Sequence, residues 1–229
     1  MSNRKAKWNG FDFARNRSVN LDGYKSSWSS ANHEVGVCPY CDGSRELPEL
    51  DHYYPKSVFP QLAVSPWNLV PVCQHCNHQH HGKGSHPMLS EGESNPSKDW
   101  LHPYFRPAPS GRVLELTGPP KNVEIKLKSP TGATQAALDN HVSTIKKLGH
   151  RWKKEVGRYH DTLVNRARAR KIKSATQVDS WIAEYHRDAV DGRGRDAFTL
   201  VHIAVCEAII NRRPGYLDEI FDSNPLGLS

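Results

Sequence analysis

The sequence has no apolar run approaching the length of a membrane span, and its basic, polar start, Met1-Ser2-Asn3-Arg4-Lys5-Ala6-Lys7-Trp8, has no apolar stretch behind it. A spanning helix and a secretory signal are therefore not expected, and the chain reads as a soluble, cytoplasmic protein. No Gly-rich nucleotide-binding loop occurs, so any dependence on ATP has to come from a partner. There is no internal repeat or low-complexity tract, which excludes a repeat array. Cysteine is scarce: of five, four stand as the pairs Cys38-Pro39-Tyr40-Cys41 and Cys73-Gln74-His75-Cys76. Without a secretory signal this pattern argues for zinc in a reducing compartment rather than a disulfide framework. Cys206 stands alone in an apolar stretch and reads as a small buried group.

With 229 residues, the chain can hold one large domain or two small ones, and its apolar content suffices for a core. Its formal net charge of +7 and pI near 9.2 favour a polyanionic partner. Nucleic acid comes first, although ribosomal-style or membrane-surface binding also fits that charge.

Four segments follow from the patterning. Residues 1–34 interleave Arg and Lys with Trp8, Phe11, Phe13, Tyr24 and Trp28 and show no periodicity. They read as an arm that either grips a strand or docks its aromatics on the core. Residues 35–105 hold the cysteine pairs and end in a Gly-, Ser- and Pro-rich loop. In 106–130, Arg112–Leu116 and Val123–Leu127 alternate apolar with polar residues about Gly118-Pro119-Pro120, the signature of a hairpin with one buried face. Residues 131–229 are helical. Leu138, Val142, Ile145, Leu148, Trp152, Val156, Tyr159 and Leu163, three or four apart, predict one long amphipathic helix with a basic outer side from Lys146 to Arg158. A second helix starts near Ser174 as N-cap, and a third, more apolar one runs from about Asp196 to Asn211.

Cys38, Cys41, Cys73 and Cys76 supply four thiolates from two tight turns, the donor set of a structural zinc. A zinc ribbon that only binds nucleic acid or protein offers the same four, so the residues between the pairs must decide. Asp51 and His52 are adjacent and, on an extended strand, point to opposite faces. A carboxylate suits a hard cation such as Mg²⁺, and an imidazole suits proton abstraction from water.

Asp51-His52-x-x-Pro55-Lys56-Ser57, then Asn68-Leu69-Val70-Pro71, then Cys73-x-x-Cys76-Asn77 resembles an HNH endonuclease over about residues 35–84. The resemblance implies an α+β fold: a ββα-metal core with a four-cysteine zinc, a β-hairpin and a mainly helical carboxy-terminal region. It implies His52 as general base, Asn68 as the residue that holds the hairpin loop and orients that base, and Asp51 and Asn77 as ligands of a catalytic Mg²⁺-like cation. His81, four residues beyond Asn77, would share its helical face and could reach the same ion. Lys56 and Lys83 are candidate phosphate contacts, while His75, His78 and His80 read as solvent-facing or phosphate-contacting.

Two functions stay open. One is a metal-dependent DNA endonuclease, in wording similar to bacterial antiphage-defence and restriction nucleases, which often work with an ATPase or sensor subunit. The other is a catalytically silent zinc-knuckle module that binds nucleic acid or a partner protein.

Overall fold

The computed structural model describes residues 37–44, 48–80, 82–84, 113–128, 135–145, 147–193, 195–218 and 220; the amino-terminal arm, the loop after Gly84 and His81 lie outside them. Strands β1 (Pro48–His52) and β2 (Leu69–Cys73) pair antiparallel, with Pro48 opposite Cys73 and His52 opposite Leu69. A four-residue helix α1 (Gln74–Asn77) follows directly. Strands β3 (Val113–Thr117) and β4 (Glu124–Lys128) form a second two-stranded sheet. Four helices complete the chain: α2 (Gln135–Thr144), α3 (Leu148–Ala169), α4 (Ala175–Asp191) and α5 (Thr199–Ile210). The fold is α+β, as expected, and among the described residues no helix is long and apolar enough to cross a membrane.

The β3–β4 hairpin arises from its alternation. Leu114 faces Leu127 and Leu116 faces Ile125, with Leu114, Leu116 and Leu127 buried. Gly118 turns the chain at φ +79°, where a Cβ would come within 2.8 Å of the Asn122 carbonyl oxygen. Ser174 caps α4 as expected: its hydroxyl accepts from Gln177 N at 3.2 Å while Gln177 Oε1 accepts from Ser174 N at 3.2 Å. The apolar helix α5 buries Val201, Ile203, Val205 and Cys206, and burial pushes the Cys206 thiol up to about 12.

One expectation is corrected. The long helix is two, broken at Ile145–Lys147, where Lys147 adopts φ 62°. The apolar spacing runs unbroken from Ile145 to Leu148, so periodicity carries no trace of the break. Contacts with the first cysteine turn decide it. In α2, His141 Nε2 donates to the Tyr40 carbonyl at 2.7 Å; in α3, Trp152 Nε1 donates to the Cys41 carbonyl at 2.9 Å.

The third helix joins the same turn. Phe198 N donates to the Asp42 carbonyl, and the Asp42 carboxylate accepts from Leu200 N at 2.8 Å and Thr199 Oγ1 at 3.3 Å, capping α5 from a distant segment. One core therefore runs from Cys38 to Ile220 without interruption among the described residues. Asp42→Ala is expected to destabilise the protein by about 1 kcal/mol, the usual worth of such a cap, read as a lower denaturation midpoint at unchanged slope.

Buried polar residues complete the packing. Glu155, inside α3, accepts from Arg158 and from His202 Nε2 at 2.8 Å, and the His202 ring stacks on Tyr159 at 3.9 Å between centroids. Burial alone would raise the Glu155 carboxyl, but these donors outweigh it and hold it at about 2. Since the folded value lies below the unfolded one, the contribution is full above about pH 4.5 and is lost as pH falls toward 2. Acid unfolding followed by circular dichroism should show this loss in the wild type, and Glu155→Gln should flatten the curve between pH 5 and 2.

Candidate functional site

The four cysteines converge. Their sulfurs lie within 4.8 Å of one another and all four residues are buried. Cys41 Sγ and Cys73 Sγ are 3.7 Å apart, too far for a disulfide and close to the ~3.8 Å edge of a tetrahedron built on Zn–S bonds of ~2.3 Å. Backbone amides point at the sulfurs, Gly43 N to Cys41 Sγ at 3.4 Å and Cys73 N to Cys38 Sγ at 3.3 Å. From α3, Arg151 donates to Cys76 Sγ at 3.2 Å. Hydrogen bonds from Cys38 and the other sulfurs draw the Cys73 thiol down, while sharing those bonds, and then burial, pushes Cys41 and Cys76 up. Four sulfurs at this spacing cannot all ionise unaided, and a divalent ion removes that constraint. The site fits a metal ion and is compatible with structural zinc.

Beyond Cys76 the chain folds back on itself. Helix α1 stops at Asn77, and His78 is extended at ψ 134°. Gly82 N donates to the His78 carbonyl and Lys83 N to the Cys76 carbonyl, each at 2.8 Å. A Cβ on Gly82 would fall 2.2 Å from the Cys76 carbonyl oxygen, so only glycine permits this return. The expected helical face shared by Asn77 and His81 is thus absent, because the helix ends between them; His81 itself lies outside the described residues. His75, His78 and His80 are exposed, with His80 N donating to His78 Nδ1 at 3.1 Å.

At the far end of β1 the strand's alternation sends Asp51 inward and leaves His52 half-buried. His52 Nε2 lies 3.0 Å from the Ala63 carbonyl. A carbonyl only accepts, so Nε2 carries the hydrogen and Nδ1 keeps its lone pair. The loop presenting Ala63 is held by Asn68, which is 3 % exposed. Asn68 Oδ1 accepts from Tyr54 N at 2.6 Å, and its amide donates to the carbonyls of Tyr54 at 2.9 Å and Leu62 at 3.1 Å. Lys56 is exposed in this loop.

Asp51 is differently engaged. Tyr40 donates to its Oδ2 at 2.7 Å, and Lys83 Nζ lies 3.1 Å from both Oδ1 and Oδ2. The same ammonium donates to the carbonyls of His52 at 2.9 Å and Gly84 at 3.4 Å. Lys83 is fully buried, so the expectation of a phosphate contact there gives way to an internal counter-ion in a cage of oxygens. Burial pulls the lysine down and the Asp51 charge offsets part of that; burial and then the same charge push the Tyr40 phenol well up. In this arrangement Asp51 does not fit a second cation, because the ammonium already occupies its oxygens. Asn77 fits better: its amide nitrogen donates to Glu49 Oε2 at 2.7 Å, leaving the amide oxygen for a hard ion.

Sequence reasoning passed over Glu49 and Tyr40, and counted Arg151 only among the basic residues on the outer side of the long helix. Glu49 stands two residues before Asp51 in a strand, and hence on the same face, a signal that was available. Nothing local marks Tyr40 as the partner of Asp51 or Arg151 as that of the sulfurs.

The chain is similar to the Septu protein PtuB of Bacillus thuringiensis, 36% identical over 66 residues that cover 27% of this chain and 24% of that protein. It is also 40% identical over 40 residues to protein ea31 of Escherichia phage lambda, covering 18% of this chain and 14% of the phage protein. The chain thus spans a quarter or less of the curated relatives it matches. No protein-family model and no solved structure matches it.

The Asp51–Lys83 pair generates a direct test. Lys83→Met leaves a buried carboxylate without its counter-ion and should destabilise the protein by about 3–5 kcal/mol, whereas adding Asp51→Asn should recover much of the loss. A Lys83→Met change within about 0.5 kcal/mol in denaturant unfolding would place the lysine outside the core.

Proposed function

We propose that the chain is a metal-dependent endonuclease that hydrolyses DNA phosphodiester bonds with His52 as general base. The observation that carries this reading is the His52 Nε2 to Ala63 carbonyl contact at 3.0 Å, within a loop that Asn68 pins at three points. It leaves Nδ1 as the basic nitrogen on a half-buried ring that water can reach. A water bonded to Nδ1 passes its proton there as its oxygen bonds to phosphorus. The P–O3′ bond then breaks, the 3′ oxygen takes up a proton, and 5′-phosphate and 3′-hydroxyl ends result.

Asn68 acts through His52, since releasing the loop frees the carbonyl that orients the ring. A Mg²⁺-like ion held by Asn77 would supply charge stabilisation at the phosphate. Lys56, exposed in the loop that holds His52, is the candidate contact to a neighbouring phosphate.

The biological setting we infer is bacterial antiphage defence or restriction, and the partial likeness to the Septu protein, a bacterial defence protein, supports it. An ATPase or sensor subunit is the partner this setting calls for. One observation favours the alternative of a silent binding module: the Lys83 ammonium neutralises the carboxylate that a catalytic cation would need.

Supercoiled-plasmid cleavage separates the two. The wild type with Mg²⁺ or Mn²⁺ should nick or linearise plasmid, EDTA should stop it, and His52→Ala with unchanged zinc content should be slower by ~10²- to 10⁴-fold. Equal cutting by His52→Ala overturns the base assignment, and DNA binding without cutting by the wild type favours the silent module.

A further inference from the structure

The basic run from Lys147 to Lys173 divides sharply in the tertiary structure. Lys153 pairs with Glu124 at 2.7 Å, Arg170 with Glu184 at 3.6 Å, and Arg166 lies over the Tyr185 ring at 5.3 Å. These cations are engaged within the protein. On a different face of α3, Arg151, Lys154 and Arg158 follow one another at intervals of three and four residues, which aligns them along one stripe. Among the described residues no ion pair holds Lys154, which is exposed.

That stripe forms one side of a groove of about 460 Å³, which both cysteine turns, with Cys41, Cys73 and His75, and Phe198 complete. Arg151, Lys154 and Arg158 line it, and among the described residues its only carboxylate is Glu155. Glu155 is turned onto Arg158 and His202 and is itself buried, so it presents little negative charge to an incoming anion. Arg158 and Glu155 cancel as a pair and Arg151 is held by the Cys76 sulfur, so the surplus positive charge of the groove rests on Lys154.

We propose that this groove is a track for the phosphate backbone of DNA, leading the strand toward the end of α1 that carries Asn77. From Arg151 to Arg158 the helix rises about 10 Å, enough to meet roughly three phosphates of one strand. From His75, on the groove wall, to Asn77 is a rise of only about 3 Å along α1 but a turn to the other side of that helix, so a strand leaving the groove rounds the end of α1 to reach the Asn77 amide. Lys154 makes the first phosphate contact, with Arg158 and His75 flanking it. Arg151 faces both ways, donating to the Cys76 sulfur while completing the groove wall. The proposal takes its substrate from the endonuclease reading but is tested by binding alone.

The probe is a fluorescein-labelled 20-base-pair DNA duplex, titrated with His52→Ala protein across a salt series and followed by anisotropy. Lys154→Glu in that background should weaken binding about tenfold for unrelated sequences alike and reduce the slope of log K against log salt by about one. Lys153→Glu, on the same helix but paired with Glu124, should bind like its parent, and zinc content and helical circular dichroism should match in all three. Equal losses in Lys154→Glu and Lys153→Glu, no loss in Lys154→Glu, or no binding by the parent overturns the groove assignment. If Lys154→Glu binds normally while the wild type cuts plasmid, the groove falls and the nuclease reading stands. If the groove behaves as proposed and plasmid is never cut, the groove stands and the nuclease reading falls.

Discussion

The turn between Cys38 and Cys41 is the joint on which the rest of the structure depends. Its sulfurs meet those of Cys73 and Cys76, while its carbonyls are taken one by one by the helical region: Tyr40 by His141, Cys41 by Trp152 and Asp42 by Phe198 N. Each is a backbone acceptor, two of them on buried residues, and each donor comes from a different segment more than a hundred residues away. The metal-ligand cluster and the carboxy-terminal helices are therefore one cooperative unit. Arg151 adds an electrostatic tie, since four thiolates around a divalent ion leave an excess of negative charge that a guanidinium at 3.2 Å relieves.

That joint positions the candidate site through short, stiff connections. The β1–β2 pair runs from the cysteine cluster at Pro48 and Cys73 to His52 and Leu69 at its other end. The loop between the strands returns to His52 with the Ala63 carbonyl, and Asn68 closes the loop at its base. An imidazole held by one ring nitrogen has a defined tautomer, and the defined tautomer is what makes the other nitrogen a base. The adjacent carboxylate lies on the inner side of the same strand, where a buried ammonium and a phenol satisfy it. Two neighbouring residues thus have opposite environments for no reason beyond strand alternation.

Local patterning made much of this legible. The Ser174 cap, the hairpin register and the apolar character of α5 each depend on residues a few positions apart, and such pairs are visible along the chain. The cysteine pairs announced a metal cluster because their spacing is chemical as well as geometric. Where reasoning from the sequence diverged, the deciding interaction was distant for the long helix and a local chain reversal for α1. The long helix breaks at Lys147 because α2 and α3 each have a carbonyl of the first cysteine turn to reach, and α1 stops at Asn77 because Gly82 lets the chain return across the Cys76 carbonyl.

The sequence by itself determined the donor types, their order and the strand that separates Asp51 from His52, because these rest on covalent neighbours and fixed periodicities. Tertiary structure alone decided which charges would face solvent. Lys83, Arg151, Lys153 and Lys154 look alike in the sequence as members of a basic chain. Tertiary packing assigned the first to Asp51 and the second to the cluster sulfurs, set the third beside Glu124 at the surface, and left the fourth exposed in the groove. Charge pairing depends on which surfaces meet through space, and no local period records that.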